Sequence, residues 1–377
     1  MGPFRWTLQA KSVYEEYQPM LRILQLFGVA PFVVRDRKPE KTWLHTLFFL
    51  LHSSCLLYCL YDSKVNDTFN RASTYTLTAL TYDALGIAGS VYTVIVHARY
   101  LLRSRQCIRM WRKLSEVSEE LSGVAGNVYR RKTRCLLKTA AVILALLAFV
   151  IATVNLQTNR SRLTATFWVV WYLPLLQRCL TGLSFGLYCS ELRRKYAIAN
   201  GILAEDVARL SPERVRVLRR IHFLGYEGCR DLDTIHGPQF FYVFVSSFVN
   251  ATLDMCNIIR LFGSTDPSSI VRFKSAVYWT SAQAVEIFGI VFSGVRLRRE
   301  VQRMRLLMHE CLILIDDQHS RLKLELESFS LQLLHCQFNF TAAGFFSIDC
   351  ALLIQFGVAV ISNTLFFVQM DKLKKRG

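Results

Sequence analysis

Residues 347–370 read SIDCALLIQFGVAVISNTLFFVQM, and this stretch decides which kind of fold to expect. It is long and apolar enough to cross a bilayer, because about 20 mostly apolar residues span the hydrocarbon core as a helix. Three polar side chains nevertheless recur at a spacing of seven, namely Gln355, Ser362 and Gln369. Seven residues are close to two helical turns, so all three project from one face. The stretch therefore predicts a transmembrane helix that carries a polar stripe.

The composition extends this expectation to the whole chain. Its 377 residues are 52% hydrophobic and 12% aromatic, and they carry a formal net charge of +18. A basic soluble protein would suggest a nucleic-acid partner, but such a protein does not spread half its length over apolar runs of span length. We therefore predict a protein embedded in membrane lipid, with no nucleic-acid partner.

Seven segments are long and apolar enough to predict an all-α, seven-transmembrane helical membrane protein. A shorter run, MLRILQLFGVAPFVV at Met20–Val34, contains Arg22 and Gln25 and predicts an interfacial or re-entrant helix. The seven predicted spans are 43–61, 76–97, 137–156, 164–188, 238–262, 275–295 and 340–370.

The distribution of basic residues predicts the orientation of these spans. Residues 1–42 and the alternate loops on the same side hold 34 Lys and Arg, whereas the opposite side holds 10. Because Lys and Arg concentrate in cytoplasmic loops, the N-terminus is predicted to be cytosolic and the C-terminus extracellular. The sequons at Asn66 and Asn159 fall in loops predicted to lie outside, so both are expected to be glycosylated. This orientation is opposite to that of G-protein-coupled receptors.

The predicted cytosolic loops 98–138 and 189–237 are long and show helical spacing of apolar residues. Ser211-Pro212-Glu213 predicts a helix cap followed by a first turn. We therefore expect the spans to continue into the cytosol as a helical bundle. The alternative is that these loops are merely solvated basic segments.

The sequence contains no motif that indicates catalysis. It has no Gly-rich phosphate loop, no HExxH pattern and no Ser-His-Asp neighbourhood. Its eleven cysteines are scattered singly, without a CxxC pair. We predict that the protein is not an enzyme and needs neither a cofactor nor a metal ion.

Polar residues inside the spans are the candidates for function. A charge near the bilayer centre costs at least ~2.5–3.5 kcal/mol, so it usually faces the bundle or a water-filled cavity. In one interpretation, Asp83 or Glu286 pairs with Arg178 and only stabilises the packing of the helices. In the other, it contacts a ligand. With the aromatic residues in the outer half of the spans, these groups favour a pocket for a small organic ligand, although part of the aromatic set fits an interfacial belt. The candidate ligand-binding residues are Asp83, Trp168, Trp171, Tyr242, Asn250, Asp254, Trp279, Gln283 and Glu286.

The stripe on the last span predicts the wall of a pore. Gln355, Ala359, Ser362, Phe366 and Gln369 lie within about 40° of a common direction on the helical wheel. One span cannot enclose a channel, whereas four copies around an axis place Gln and Ser along a lumen that Phe366 narrows. The alternative is hydrogen bonding between helices of a single bundle.

Several segments also resemble one known family. LQLLHCQFNFTAAGFFSIDCALL at Leu331–Leu353 resembles the late signature of insect gustatory receptors, and Ser362–Met370, SNTLFFVQM, is similar to the family's closing motif. Gln369 matches that motif, Ser362 replaces its Thr, and Asn363 and Met370 depart from it. Segments 225–241 and 24–32 are also similar to the family.

The resemblance implies a tetrameric channel with a ligand pocket in the outer half of each bundle and a pore lined by the last span, including Ser362 and Gln369. Cytosolic extensions would form most subunit contacts, in a homotetramer or a heteromer with related subunits. Sugar-responsive members tend to carry an acidic residue at the position of Gln369, so the resemblance favours a bitter or aversive tastant over a sugar. The implied organisation is a cytosolic segment 1–42, a ligand-binding bundle 43–295, anchor helices 296–339, a pore span 340–370 and an extracellular tail 371–377.

These observations predict a ligand-gated, non-selective cation channel for taste in the plasma membrane of sensory neurons. The alternatives are a secondary transporter, whose polar residues would mark a midplane site, and a G-protein-coupled-type receptor. The sequence shows no internal repeat of the kind many transporters have, and the charge distribution opposes the receptor orientation.

Overall fold

The computed structural model describes residues 10, 12–35, 38–41, 43–65, 77–126, 128, 137, 139–145, 148, 151, 165–204, 210–263, 265–315 and 320–374. The described part of predicted span 137–156 is helical, and sequon residues Asn66 and Asn159 lie outside the described residues. Elsewhere these residues form helices and one antiparallel hairpin: α1 (Val13–Leu26), β1 (Val33–Arg35), β2 (Lys38–Glu40), α2 (Leu44–Val65), α3 (Leu77–Leu102), α4 (Ser104–Ala125), α5 (Ala165–Leu203), α6 (Pro212–Leu261), α7 (Pro267–Leu314), α8 (Ser320–His335) and α9 (Cys350–Lys374).

Three helices are much longer than a bilayer is thick. α5, α6 and α7 contain 39, 50 and 48 residues, so α6 is about 75 Å long against a hydrocarbon core of about 30 Å. Ser211 caps α6 by accepting a hydrogen bond from the Arg214 N–H at 3.3 Å, and Pro212 follows as predicted. The structure thus confirms that the spans continue beyond the membrane as a helical bundle.

Three of the described helices qualify as membrane spans by length and hydropathy alone. They are α3 over Ala84–Leu102, α6 and α9 over Cys350–Met370. The α9 span is only 11% buried within the chain, whereas the α3 and α6 spans are each 44% buried. The last span therefore lies at the edge of the bundle, with most of its surface uncovered by the rest of the chain.

Small residues bring α5 and α7 into close contact. A Cβ added at Gly182 would lie 3.5 Å from Ile290, and one added at Gly186 would lie 3.3 Å from the Ser293 hydroxyl. Two glycines four residues apart allow this approach because they leave a flat strip on the helix.

The N-terminal segment differs from the interfacial helix predicted at 20–34. The helix begins at Val13, where the Ser12 hydroxyl accepts a hydrogen bond from the Glu15 N–H at 3.2 Å, and it ends at Leu26. Residues 33–35 and 38–40 form the paired strands β1 and β2 instead of helix. The reason is that the apolar face of α1 extends toward the N-terminus, where Val13, Tyr14 and Tyr17 are buried.

Buried charges attach α1 to α5. Glu191 of α5 accepts a hydrogen bond from the Tyr17 hydroxyl at 2.6 Å and lies 3.1 Å from the Lys195 ammonium. Arg194 bonds Glu191 and also contacts Glu16 of α1 at 3.1 Å. Glu16 and Lys195 are both fully buried. Two carboxylates and two cations thus compensate one another where the N-terminal helix meets the bundle.

The last span starts later than predicted, because residues 340–349 are not helical. Ala343 and Gly344 have positive φ angles of 55° and 81°, which make a tight turn between Thr341 and Ser347. The helix begins at Cys350, where the Asp349 carboxylate accepts a hydrogen bond from the Leu352 N–H at 3.1 Å. A capping carboxylate of this kind is a strong helix start signal.

Gly228 permits the contact between α5 and α6, and its replacement by Ala should destabilise the protein. A Cβ there would lie 2.1 Å from the hydroxyl of the fully buried Tyr188. Overpacking of this kind costs about 1–3 kcal/mol. Thermal unfolding of the purified protein would show this loss of stability as a lower unfolding midpoint.

Gly201 provides the matched control, because it is an exposed helical glycine with nothing within 4 Å of an added Cβ. Gly201→Ala should stabilise α5 by roughly 0.5–1 kcal/mol. If both variants unfold at the same temperature, Tyr188 has room to move and the close contact is not structurally required.

Candidate ligand site and pore

A buried ion pair joins α5 to α7 within the predicted spans. Arg178 contacts Glu286 through two hydrogen bonds, Nη2 to Oε2 at 2.7 Å and Nε to Oε1 at 3.3 Å. The two side chains are 8% and 7% exposed. Nη1 and Nη2 also donate to the hydroxyls of Ser246 and Ser247 on α6, at 3.2 and 2.8 Å. Arg178 thus ties three helices together.

This geometry bears on the two interpretations of Glu286, as a partner of Arg178 or as a ligand-binding residue. Both of its oxygens are engaged by Arg178, because a guanidinium binds a carboxylate with two parallel bonds when the charges are shielded from water. The pairing of Glu286 with Arg178 is therefore present in the structure, and the assignment of Glu286 to the ligand site stays a prediction. The structure describes the backbone of Asp83 within α3, and its side chain lies outside the described residues.

Two tyrosines stack beside this ion pair. The rings of Tyr92 on α3 and Tyr242 on α6 have centroids 3.8 Å apart and an interplanar angle of 12°. Among the described residues, the Tyr92 hydroxyl and the Gln283 carbonyl oxygen are buried without a hydrogen-bond partner. Such groups are rare in native proteins, because each costs about 1–3 kcal/mol, and they normally meet water or a ligand.

The other candidate ligand residues are less concentrated. Asp254 is buried, Asn250 and Trp279 are half-buried, and Trp279 contacts the ring of Tyr278 edge-on at 5.5 Å. Trp168 and Trp171 belong to α5, and their side chains lie outside the described residues. The structure therefore brings Tyr242, Gln283 and Glu286 to one region.

α9 packs on α6 with the face opposite its polar stripe. Val360 and Thr364 are buried, and Phe356 contacts the rings of Phe244 and Phe248 at 6.5 and 6.0 Å. Phe367, which lies about 120° from the stripe on the helical repeat, is 41% exposed. Of the five stripe residues, Ala359 is half-buried and the rest are exposed: Gln355, Ser362, Phe366 and Gln369.

The linker that precedes α9 is fixed to α6 through Asp233. The Asp233 carboxylate accepts hydrogen bonds from the Thr341 N–H at 2.7 Å and from the Thr341 hydroxyl at 3.1 Å. A Cβ added at Gly237 would lie 3.0 Å from the Thr341 carbonyl oxygen, so the two backbones touch. This part of α6 is thus in direct contact with the linker that leads to α9.

Pro238 lies inside α6, one residue after Gly237. Proline has no N–H, so the carbonyl four residues earlier, that of Thr234, loses its helical partner. Arg99 and Arg103 replace it by donating to the Thr234 oxygen at 2.9 and 3.0 Å. Arg99 of α3 and Arg103, which lies between α3 and α4, therefore replace the hydrogen bond that Pro238 cannot make.

Sequence reasoning missed several of these groups although weak signals were present. The adjacent Ser246 and Ser247 are polar residues inside a span, and Tyr92 is a hydroxyl-bearing side chain in an apolar run. Asp233 gives no such signal, because its partner Thr341 lies 108 residues away in sequence.

Comparison with known proteins agrees with this architecture. The family model for 7tm chemosensory receptors matches residues 17–374. The "Putative gustatory receptor 2a" of Drosophila melanogaster is 21% identical over 239 residues, which cover 54% of this chain and 56% of that protein. This chain thus spans little more than half the length of that curated relative.

Two solved structures show the same fold. The insect olfactory receptor OR5 from Machilis hrabei superposes with a TM-score of 0.65, and its complex with eugenol superposes with a TM-score of 0.61. Each is 12% identical to this chain and covers 94% of it, and 97% of each OR5 chain is matched. Together with the family match, these likenesses confirm the predicted all-α, seven-transmembrane fold.

Proposed function

We propose that this chain, which belongs to the 7tm chemosensory receptor family, is a gustatory receptor that works as a ligand-gated, non-selective cation channel. The observation that carries the proposal is the exposed polar stripe on α9. Polar side chains within a membrane span are costly when they face lipid, so a stripe directed away from its own bundle needs water or another protein surface. A pore between subunits supplies both.

Four copies around one axis are the arrangement that we propose. In such an assembly Gln355, Ser362 and Gln369 line a lumen, and Phe366 forms a hydrophobic constriction. The slight burial of α9 within one chain supports this arrangement, because a span with so little intramolecular contact is suited to contact neighbouring subunits. The copies are identical or include related receptor subunits.

The proposed ligand site lies beside the Arg178–Glu286 pair, between α3, α6 and α7. The stacked rings of Tyr92 and Tyr242 offer an apolar surface, while the Tyr92 hydroxyl and the Gln283 oxygen are hydrogen-bonding groups without a protein partner. A small tastant with an apolar body and one polar group fits these features. The complex of OR5 with eugenol supports a small-molecule ligand.

Gln369, where sugar-responsive relatives tend to carry an acidic residue, favours a bitter or otherwise aversive compound. We place the receptor in the plasma membrane of sensory neurons, with glycans at Asn66 and Asn159.

Binding reaches the pore through α6 in this proposal. Tyr242 belongs to the ligand region, and Asp233, more than two turns away on the same helix, holds the linker to α9. A ligand opens the channel only if it binds the open arrangement more tightly than the closed one. We infer that closure of the site around a ligand shifts α6 and so moves the start of α9.

Patch-clamp recording tests this function in cells that express the wild type, Gln369→Ala or Phe366→Ala under a panel of bitter compounds and sugars. Phe366→Ala should raise the current without ligand, because it removes a hydrophobic constriction. Gln369→Ala should change the relative permeability of cations, since it removes a polar group from the lumen.

Ile361→Ala is the matched control, because Ile361 is also exposed on α9 but lies about 120° from the stripe. It should leave both properties unchanged. Equal effects of all three variants would indicate that α9 contributes to stability instead of lining the pore.

A further inference from the structure

Two arginines lie where the α3 span reaches its predicted cytosolic end. The apolar span ends at Leu102, so Arg99 belongs to its last turn and Arg103 follows it directly. Arg99 donates a hydrogen bond to the Thr234 carbonyl oxygen of α6 at 2.9 Å, and Arg103 donates to the same oxygen at 3.0 Å. Because both bonds end on one atom, the two guanidinium groups lie close together.

The positive charge of this pair is not neutralised by the protein. A guanidinium carries five N–H donors, and the Nε of Arg99 is buried without a hydrogen-bond partner. Neither arginine forms an ion pair with a carboxylate among the described residues. The charge of Arg103 acts on that of Arg99, and like charges repel each other. One neutral carbonyl does not compensate two cations, so the pair lacks an anion.

The acidic side chains nearest to Thr234 in sequence are occupied by other partners. Asp231 lies 3.0 Å from the Lys113 ammonium. Asp233 accepts two hydrogen bonds from Thr341. Either carboxylate would have to leave these contacts to reach the arginines. The anion is therefore expected to come from outside the chain.

The surface beside the arginine pair is apolar and belongs to the span itself. Val91, Ile95 and Leu102 of α3 are 47%, 58% and 85% exposed, and they project within about 40° of one another on the helical repeat. An exposed apolar strip on a membrane span is suited to contact acyl chains. Arg99 lies about 60° from Leu102 on the same helix. The pair thus adjoins a lipid-facing strip, at the membrane end of the helices and not along their cytosolic extensions.

We propose that Arg99 and Arg103 bind the phosphate group of an anionic phospholipid in the cytosolic leaflet. Guanidinium groups bind phosphate oxygens through paired hydrogen bonds. A phosphate monoester has a charge of about −1.5 to −2, so one such group balances two arginines. This leaflet contains anionic lipids, which basic residues at the membrane surface attract.

The depth and exposure of the pair fit a lipid headgroup. Lipid phosphates lie just outside the hydrocarbon core, which is the level at which the apolar span ends at Leu102. Arg99 and Arg103 are both half-buried, so a headgroup can reach them from the surface. Binding at the surface needs no enclosed cavity.

An occupied site should stabilise α6 as well as hold the lipid. The Thr234 carbonyl is the one that Pro238 leaves without a helical partner, and both arginines are needed close together to replace that bond. A phosphate between the guanidinium groups removes their repulsion and favours this arrangement. A ligand that binds only the folded protein raises its unfolding temperature.

Thermal unfolding of the full-length receptor in nanodiscs tests the site. One set of nanodiscs contains phosphatidylcholine alone, and in a second set part of this lipid is replaced by phosphatidic acid. The wild-type midpoint should rise by roughly 2 °C or more with phosphatidic acid, and the rise should saturate as its fraction increases. Arg99→Gln should reduce this shift by roughly half or more, because one charge-assisted pair is lost.

Arg109→Gln is the matched control. Arg109 is exposed on α4, six residues beyond Arg103, so the variant removes the same charge nearby and should keep the full shift. Each variant is compared with itself in the two lipids, which separates lipid binding from any loss of intrinsic stability. Arg103→Gln is the second test variant if Arg99→Gln fails to fold, and it should also reduce the shift.

Inorganic phosphate added to the phosphatidylcholine nanodiscs distinguishes a soluble occupant from a lipid. It should leave the midpoint unchanged, and a full shift with phosphate alone overturns the assignment to a lipid. Absence of a shift with phosphatidic acid in the wild type also overturns the proposal and favours a carboxylate of a neighbouring subunit as the counter-ion. Equal shifts in the Arg99 and Arg109 variants overturn it too, since they indicate general surface charge. These outcomes are independent of channel function, because no current is recorded.

Discussion

Glu286→Gln is expected to lower the free energy of unfolding by about 3–5 kcal/mol, the usual result of leaving a buried charge without its partner. The substitution keeps the size of the side chain but removes the charge that both bonds of Arg178 require. Ser246 and Ser247 still accept from the guanidinium, yet neutral hydroxyls do not compensate a cation in this environment. Thermal unfolding of purified receptor and surface labelling of intact cells should both report the loss.

The double variant Arg178→Met/Glu286→Leu is the informative companion. Replacing a buried ion pair by apolar residues of similar volume is often nearly neutral, so the double variant should recover most of the stability. If Glu286→Gln instead unfolds like the wild type and only the ligand response is lost, the ion pair does not stabilise the fold. Glu286 then belongs to the ligand-binding residues.

Glu191→Gln is expected to have the second large effect, about 3 kcal/mol of destabilisation. Glu191 is the shared partner of Tyr17, Arg194 and Lys195. Lys195 is fully buried, and after the substitution Glu16 is the remaining carboxylate of this network. The contact between α1 and α5 should loosen, and limited proteolysis should cut the N-terminal segment sooner than in the wild type.

The effect of Glu191 should depend on pH. Burial alone would raise the pKa of Glu191, but Lys195, Arg194 and Tyr17 together lower it below its ordinary value of 4.5. A lowered pKa in the folded state means that this stabilisation is complete above about pH 4.5 and is lost as the pH falls through the folded-state pKa. The difference in unfolding midpoint between wild type and Glu191→Gln should therefore be constant near neutral pH and should narrow in acid.

Glu325→Gln is a suitable comparison for this pH series. Glu325 also binds two arginines, but its main partner Arg216 is 44% exposed. Exposed ion pairs contribute about 0–1 kcal/mol. The unfolding midpoints of the wild type and Glu325→Gln should therefore differ little, and this difference should hardly change with pH. If Glu191→Gln also gives a small difference that does not change with pH, the charged groups around Glu191 are exposed to water.

The membrane-spanning pattern of the chain was predictable from the sequence because it depends on local quantities. A span needs only enough consecutive apolar residues to match the bilayer, and the stripe of α9 needs only the helical repeat. The packed face of α9, with Phe356 and Val360, follows from the same repeat. The start of α9 was less predictable, since the turn at Ala343 and Gly344 competes with an apolar run that favours helix.

The sequence by itself determined the helical membrane class, the polar stripe at Gln355, Ser362 and Gln369 and the cap at Ser211. Only the tertiary structure decided that Arg178 pairs with Glu286, that α1 is held by Glu191 and that Asp233 holds Thr341. The physical reason is that helical periodicity and hydropathy fix which face of an element is polar, whereas the partner of that face depends on how helices more than a hundred residues apart pack together.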